Sequence, residues 1–276
     1  MLINIAALPA TEHNICLYVA YLAKHLSFSS IQNYLSAVKF LHMSLGFSCL
    51  WYDGFLLHAT LKGFKRKLGN AVARKQPITI ELLCKIIYHC DPSSESGYIA
   101  ALSVGFFTFL RKANLCPRTI SEFSSQFNLT RGAFAFTEYG AIISVYGSKT
   151  IQFKERVLQL PIVFNHEYPI VCPVYNTLKH FKLVSAPNGS PAFLHNNGKP
   201  IVHKEICDFL KVKLKLCGIE GKNISMHSLR RGGASHAYSK GAPLEMIALM
   251  GDWSSLAILC YLTRPLEQRL KIAKLM

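Results

Sequence analysis

Apolar residues recur at helical spacing along most of the chain and give way to alternation in one region only. Thr11 with Asn14 opens a periodic segment that runs through Leu26 and contains CLYVAYLAKHL. Ser29 or Ser30 is placed to cap a second, IQNYLSAVKFLHMSLGF, which stops at Gly46, and a third spans about Trp51 to Leu68. No strand pattern interrupts these three, so residues 1–70 are expected to form a small helical domain. Thr79 then begins a helix to about His89, and Gly97 to Leu110 (GYIAALSVGFFTFL) is apolar on all sides, as a buried helix is. Arg111 closes that run, where it either satisfies the helix dipole or reaches an anion.

Alternation marks Ala133 to Thr137, Ala141 to Ser148 and Arg156 to Ile162, which predicts a hairpin or a small three-stranded sheet. Helical spacing then returns. Cys172-Pro173 starts a helix to about Leu183 with Pro at its first position. Phe193-Leu194 is a candidate short strand, and Lys204 to Cys217 is amphipathic and ends at Gly218. Leu244 to Met250 ends at Gly251, and short helices are expected at about Ser254 to Leu262 and from Pro265 to Met276. The fold class is mainly α with a small antiparallel β-sheet. It divides into a helical domain at 1–70, a basic linker at 71–77 and a second domain at 78–276.

Charge narrows the range of partners. Among 276 residues, 31 Lys and Arg face 15 Asp and Glu, a net +16, which points to a polyanion, nucleic acid first. A membrane is disfavoured because no apolar run reaches about 18 residues. Lys62, Lys65, Arg66, Lys67, Arg74 and Lys75 form a run without an acid, better explained by a phosphate backbone than by solvent alone. Nine cysteines without a C-x-x-C pair suggest a reducing compartment. Cys84, His89 and Cys90 lack a second pair at zinc spacing, so no metal is expected. MLINIAALPATEH has no basic start, so no signal peptide is expected. There is no phosphate-binding G-x-x-x-x-G-K motif and no carboxylate cluster for metal ions.

Candidate chemistry concentrates between Met226 and Pro265. His227 and Arg230 are three apart and share a helix face, with Ser225 as N-cap and Ser228 as a second candidate. They project from a first turn whose N–H groups favour an anion, and the Arg fork can grip two phosphate oxygens. Gly232 and Gly233 inside a helix imply a close approach. Taken singly, His227, Trp253 and Tyr261 are ordinary structural residues, and Lys149 is an ordinary turn lysine.

The ordered set H-S-L-R-R-G-G, then G-D-W-S-S, then a Tyr ten residues after that Gly, resembles the C-terminal signature of tyrosine recombinases. This phage-integrase-like family shares its catalytic domain with type IB topoisomerases. The wording HSLRRGG with GDWSS, the S-K-T-x-Q-F-x-E-R run at Lys149, and LPATEHNICLYVAYLA followed by SSIQNYLSAVKFLH are most similar to its eukaryotic, transposon-borne branch. The resemblance implies a SAM-like, core-binding helical bundle and a catalytic domain that clamp duplex DNA from opposite sides. It implies a catalytic set of Arg111, Lys149, His227, Arg230, Trp253 and Tyr261, working through a 3′-phosphotyrosine without cofactor, metal or ATP. Lys154, Arg156 and Arg231 are further candidates for DNA contact. The implied partners are double-stranded DNA and further copies of the chain, as dimers and a synaptic tetramer, in the nucleus of a eukaryote or otherwise with DNA in the cytoplasm. The segment after Tyr261 would dock on a neighbouring protomer or on its own domain.

Two positions depart from the family pattern. Leu110-Arg111-Lys112-Ala113-Asn114-Leu115 stands where the family has L-R-x-x-E-L, so Asn114 replaces an acid that orients arginines. Nine residues before Tyr261 stands Asp252, where most of the family keeps His or Trp, and Trp253 is one later. Beside an active strand-transferase, a DNA-binding descendant without chemistry therefore stays open, with a plain topoisomerase as a third option.

Overall fold

The structure, a computed structural model, describes residues 8–69, 75–151, 156–221, 223–253, 258, 259 and 262. The chain divides into two compact units, Met1–Ala73 and Arg74–Met276.

The first unit is helical. Helix α1 (Glu12–Leu22) is capped by Thr11, whose hydroxyl accepts from the Asn14 N–H at 3.2 Å. Helix α2 (Phe28–Ser44) begins earlier than its serine run suggests: Ser27 is the cap, its oxygen accepting from the Ser30 N–H at 3.3 Å. Phe28 is buried behind it. The third expected helix is divided. A 3-10 turn, Leu50–Asp53, precedes Gly54, and helix α3 runs Phe55–Leu68. The physical reason is Glu12. Its carboxylate accepts the Leu57 N–H at 2.8 Å, so the first turn of α3 is capped from α1. A Cβ on Gly54 would lie 2.1 Å from that carboxylate. Ile15, Val19, Leu22, Ile31, Leu35, Trp51 and Leu57 close the core between the three helices.

The second unit is built around α5 (Ser96–Phe107), buried on nearly every face. Around it stand α4 (Ile80–Tyr88, capped by Thr79), α7 (Pro173–Leu183) and α8 (His203–Leu216). Completing the unit are α9 (Met226–Ser239) and α10 (Leu244–Met250). The sheet is antiparallel in the order β1 (Phe134–Thr137), β2 (Gly140–Val145), β3 (Leu158–Val163). Ala141, Ile143 and Val145 of β2 and Leu158, Leu160 and Ile162 of β3 turn into the core. Leu194 makes only an isolated bridge with Pro200, not the short strand expected at Phe193-Leu194. His180 is fully buried, its Nδ1 3.0 Å from the Ser96 hydroxyl and its Nε2 accepting the Leu194 N–H at 3.2 Å. Burial pushes its pKa down to about 4, so it is a neutral internal strut.

Two corrections concern the expected helix Gly97 to Leu110. It stops at Phe107, and Phe109 takes a left-handed backbone, φ 54°. Arg111 therefore does not cap its dipole but stands at the head of a short helix, α6 (Lys112–Leu115).

Helix α9 reaches the centre of the unit because it carries Gly232 and Gly233. A Cβ on Gly232 would lie 1.7 Å from the Ile78 carbonyl oxygen, and one on Gly233 would lie 1.9 Å from that of Phe106. Both contacts are with backbone, which has little room to yield. Gly232→Ala is therefore expected to destabilise the protein by roughly 1–3 kcal/mol. Gly63→Ala, on an open face of α3 with nothing within 4 Å of an added Cβ, should stabilise it by about 0.5–1 kcal/mol. Urea unfolding followed by circular dichroism measures both, and equal midpoints for Gly232→Ala and the native chain would contradict the packing described.

Candidate active site

Helix α9 opens at Ser225, whose N–H donates to the Ser228 hydroxyl at 3.1 Å. One turn on, Arg230 is 2 % exposed, an extreme burial for a guanidinium. Its Nη1 donates to the Phe109 carbonyl, and its Nη2 donates to the Gly251 carbonyl at 2.5 Å. Its Cζ lies 3.9 Å from the centre of the Trp253 ring. One arm thus reads the corner between α5 and α6, the other the end of α10. Phe109 (φ 54°) and Asp252 (φ 53°) hold left-handed conformations at these two corners. Each costs on the order of 1 kcal/mol and persists because its neighbours determine it.

Asp252 is 6 % exposed and gathers four side chains. Its Oδ2 accepts from the Ser148 hydroxyl at 2.7 Å and from the Thr150 hydroxyl. Its Oδ1 accepts from Arg156 at 2.5 Å, and Arg111 Nη1 lies 3.6 Å from Oδ2. Ser148 and Ile151 pair with each other through both backbone groups, so Lys149 and Thr150 form the tip of a tight turn beyond β2. Asn114 supports the same turn from behind. Its Nδ2 donates to the carbonyls of Gly147 at 2.8 Å and Phe127 at 3.0 Å. Where the family pattern has an acid, this side chain donates, which no carboxylate could match.

His227 lies beside this assembly. Desolvation by the surrounding protein, followed by the charges of Arg230, Arg111 and Arg231, lowers its pKa below the ordinary histidine value. It is therefore a neutral imidazole at pH 7, able to accept a proton.

The second unit thus brings Arg111, His227, Arg230 and Trp253 together, with the Lys149 turn joined to them through Asp252. Tyr261, Lys154 and Arg74 lie outside the described residues. Arg156, expected on phosphate or in solvent, is half exposed and committed at one end to Asp252. Arg231 donates to the Lys75 carbonyl at 2.7 Å, tying the start of the unit to α9. Lys62, Lys65, Arg66 and Lys67 are exposed on α3, and Lys75 is exposed in the second unit. Among the described residues, no group of three or more His, Cys, Asp or Glu could hold a metal. No helix there is long and apolar enough to cross a membrane. Reasoning from spacing alone missed Asp252, Ser148 and Thr150. The available signals were two hydroxyl residues flanking Lys149 and an acid standing between an apolar helix and a tryptophan.

Residues 151–269 match the phage integrase family. No curated protein matches the chain in sequence. Among solved structures, the XerH site-specific recombinase bound to palindromic difH substrate, a post-cleavage complex, is similar at TM-score 0.66 and 16% identity. That match covers 98% of this chain and 73% of the other. The Tn1549 transposon integrase (aa 82-397) in complex with circular intermediate DNA is similar at TM-score 0.62 and 16% identity, covering 96% and 85%. A lambda integrase dimer bound to a COC′ core site is similar at TM-score 0.62 and 16% identity, covering 97% and 67%. The likeness is one of fold: a mostly helical protein with a small three-stranded antiparallel sheet.

Restoring an acid at position 114 is expected to harm the protein. Asn114→Asp replaces two donated hydrogen bonds by a buried carboxylate facing two carbonyl oxygens, a loss of roughly 2–4 kcal/mol. A urea midpoint unchanged by the substitution would show that the amide's donor role has been misjudged.

Proposed function

We propose that this chain is a site-specific DNA recombinase that cleaves and rejoins strands through a 3′-phosphotyrosine intermediate, closest to the eukaryotic, transposon-borne branch of tyrosine recombinases. The observation that carries this reading is the grouping of Arg111, Arg230 and His227 about a Gly-Asp-Trp corner that also holds the Lys149 turn. The integrase-family match and the fold shared with DNA-bound recombinases support it. The transposon-borne assignment rests on HSLRRGG, GDWSS and the S-K-T turn.

The chemistry follows from the charges. A phosphodiester repels nucleophiles and has a poor leaving alkoxide, so catalysis needs cations about the phosphorane, a base and an acid. Arg111 clamps the non-bridging oxygens, and Arg230, held by two backbone carbonyls and the Trp253 face, adds its positive charge beside them. The Tyr261 phenol gives its proton to neutral His227, and its oxygen bonds to phosphorus. The bond from phosphorus to the 5′ oxygen breaks, and Lys149 supplies the proton that makes a free 5′ hydroxyl. The phosphotyrosine keeps the energy of the broken diester, so a 5′ hydroxyl can reverse the step without ATP. The partner is duplex DNA, gripped through the basic residues of both units, with copies of the chain pairing as dimers and a synaptic tetramer.

Incubation with supercoiled plasmid and with a randomised duplex library, without ATP or divalent metal, is expected to yield protein linked to DNA 3′ ends. Tyr261→Phe should abolish the adduct. Binding without any covalent species, even on nicked or suicide substrates, would instead support a DNA-binding descendant. Cleavage should also have an acid limb. With its pKa lowered from 6.5, His227 stays neutral at neutrality and takes up a proton only at lower pH, so the rate should be flat near pH 7 and fall on acidification. A rate that rises on acidification would exclude His227 as the base.

A further inference from the structure

We infer that Asp252 is a positioning residue for the leaving-group acid, holding the turn that carries Lys149 against the arginine pocket. The inference rests on the recombinase reading above and gives a role to a residue that departs from the family pattern.

Three observations carry it. First, the carboxylate is 6 % exposed and bonds to hydroxyls on both sides of one lysine, Ser148 and Thr150, so it fixes the backbone where Lys149 leaves the chain. Second, Asp252 belongs to a corner whose other members hold Arg230: the Gly251 carbonyl accepts from Nη2, and the Trp253 ring lies under the guanidinium. Lys149 and Arg230 are thus located by adjacent residues. Third, Oδ1 pairs with Arg156 on the far side of the turn, and Arg111 approaches Oδ2. Each carboxylate oxygen therefore has a cation beside it.

An exposed turn lysine would otherwise spend most of its time away from a phosphate. Side chains as long as lysine lose much rotamer freedom when ordered. Fixing the Cα from both neighbours removes the backbone part of that disorder beforehand. Ser148, Thr150 and Arg156 come from the chain after β2, and Asp252 from the end of α10, so this carboxylate ties the turn to the element that holds Arg230.

The test uses single-turnover cleavage by the full chain on suicide duplexes carrying either an ordinary phosphodiester or a 5′-bridging phosphorothiolate at the cut site. A thiolate departs without a proton, so a defect in acid delivery disappears on the sulfur substrate. Asp252→Asn is expected to slow the ordinary substrate roughly tenfold or more and to come within about threefold of the native rate on the sulfur substrate, because misplacement of an acid affects only the step that needs it. Lys149→Ala should show the same pattern. Because Asp252→Asn also disturbs a buried cluster, the double variant Ser148→Ala/Thr150→Val, which leaves the carboxylate in place, should reproduce the selective loss. Equal slowing on both substrates, or no slowing, overturns the positioning role while leaving the recombinase reading intact. A native chain inert toward both substrates overturns that reading and this inference with it.

Discussion

The second unit is arranged around a guanidinium taken out of water. Arg230 is almost wholly enclosed, and an enclosed cation demands fixed dipoles in its plane. It obtains them from two chain corners and an indole face, and each comes at a local conformational cost. Phe109 and Asp252 turn left-handed, Gly251 must lack a side chain because a Cβ would strike the Trp253 ring, and α9 must be glycine-rich to come near enough. Removing the charge would remove the reason for all of them. These distortions are the clearest physical sign that the region was shaped for something other than stability.

Electrostatics point the same way. The chain carries an excess of 16 positive charges, and several cations crowd one pocket rather than spreading apart. Such clustering raises self-repulsion and is relieved by a polyanion. The carboxylate of Asp252 lies against Arg111 and Arg156, while the Trp253 face supports Arg230.

The parts of this design that were readable in the amino-acid order are those decided within one or two turns of chain. Thr11, Thr79, Pro173 and Gly251 bound their helices as caps and breakers should, and alternation marked all three strands. His227 and Arg230 were recognisable because helix geometry alone puts them on one face. The unreadable parts were decided at long range. The end of α5 lies within an unbroken apolar run, and the bend after it answers to Arg230, 121 residues away. Asp252 looked like a register error because its hydrogen-bond partners lie 96 to 104 residues earlier. Asn114 looked like a lost charge because spacing cannot reveal whether an amide donates or accepts.

The cap that Glu12 places on α3 has a consequence for anyone trimming the protein. The basic face of Lys62, Lys65, Arg66 and Lys67 rides on a helix whose Leu57 N–H is capped from the opening turn of α1. A shortened version that starts beyond that glutamate would keep every basic residue and still leave their helix unanchored at its head. Loss of nucleic-acid affinity in such a fragment would then report a frayed helix, not a missing contact.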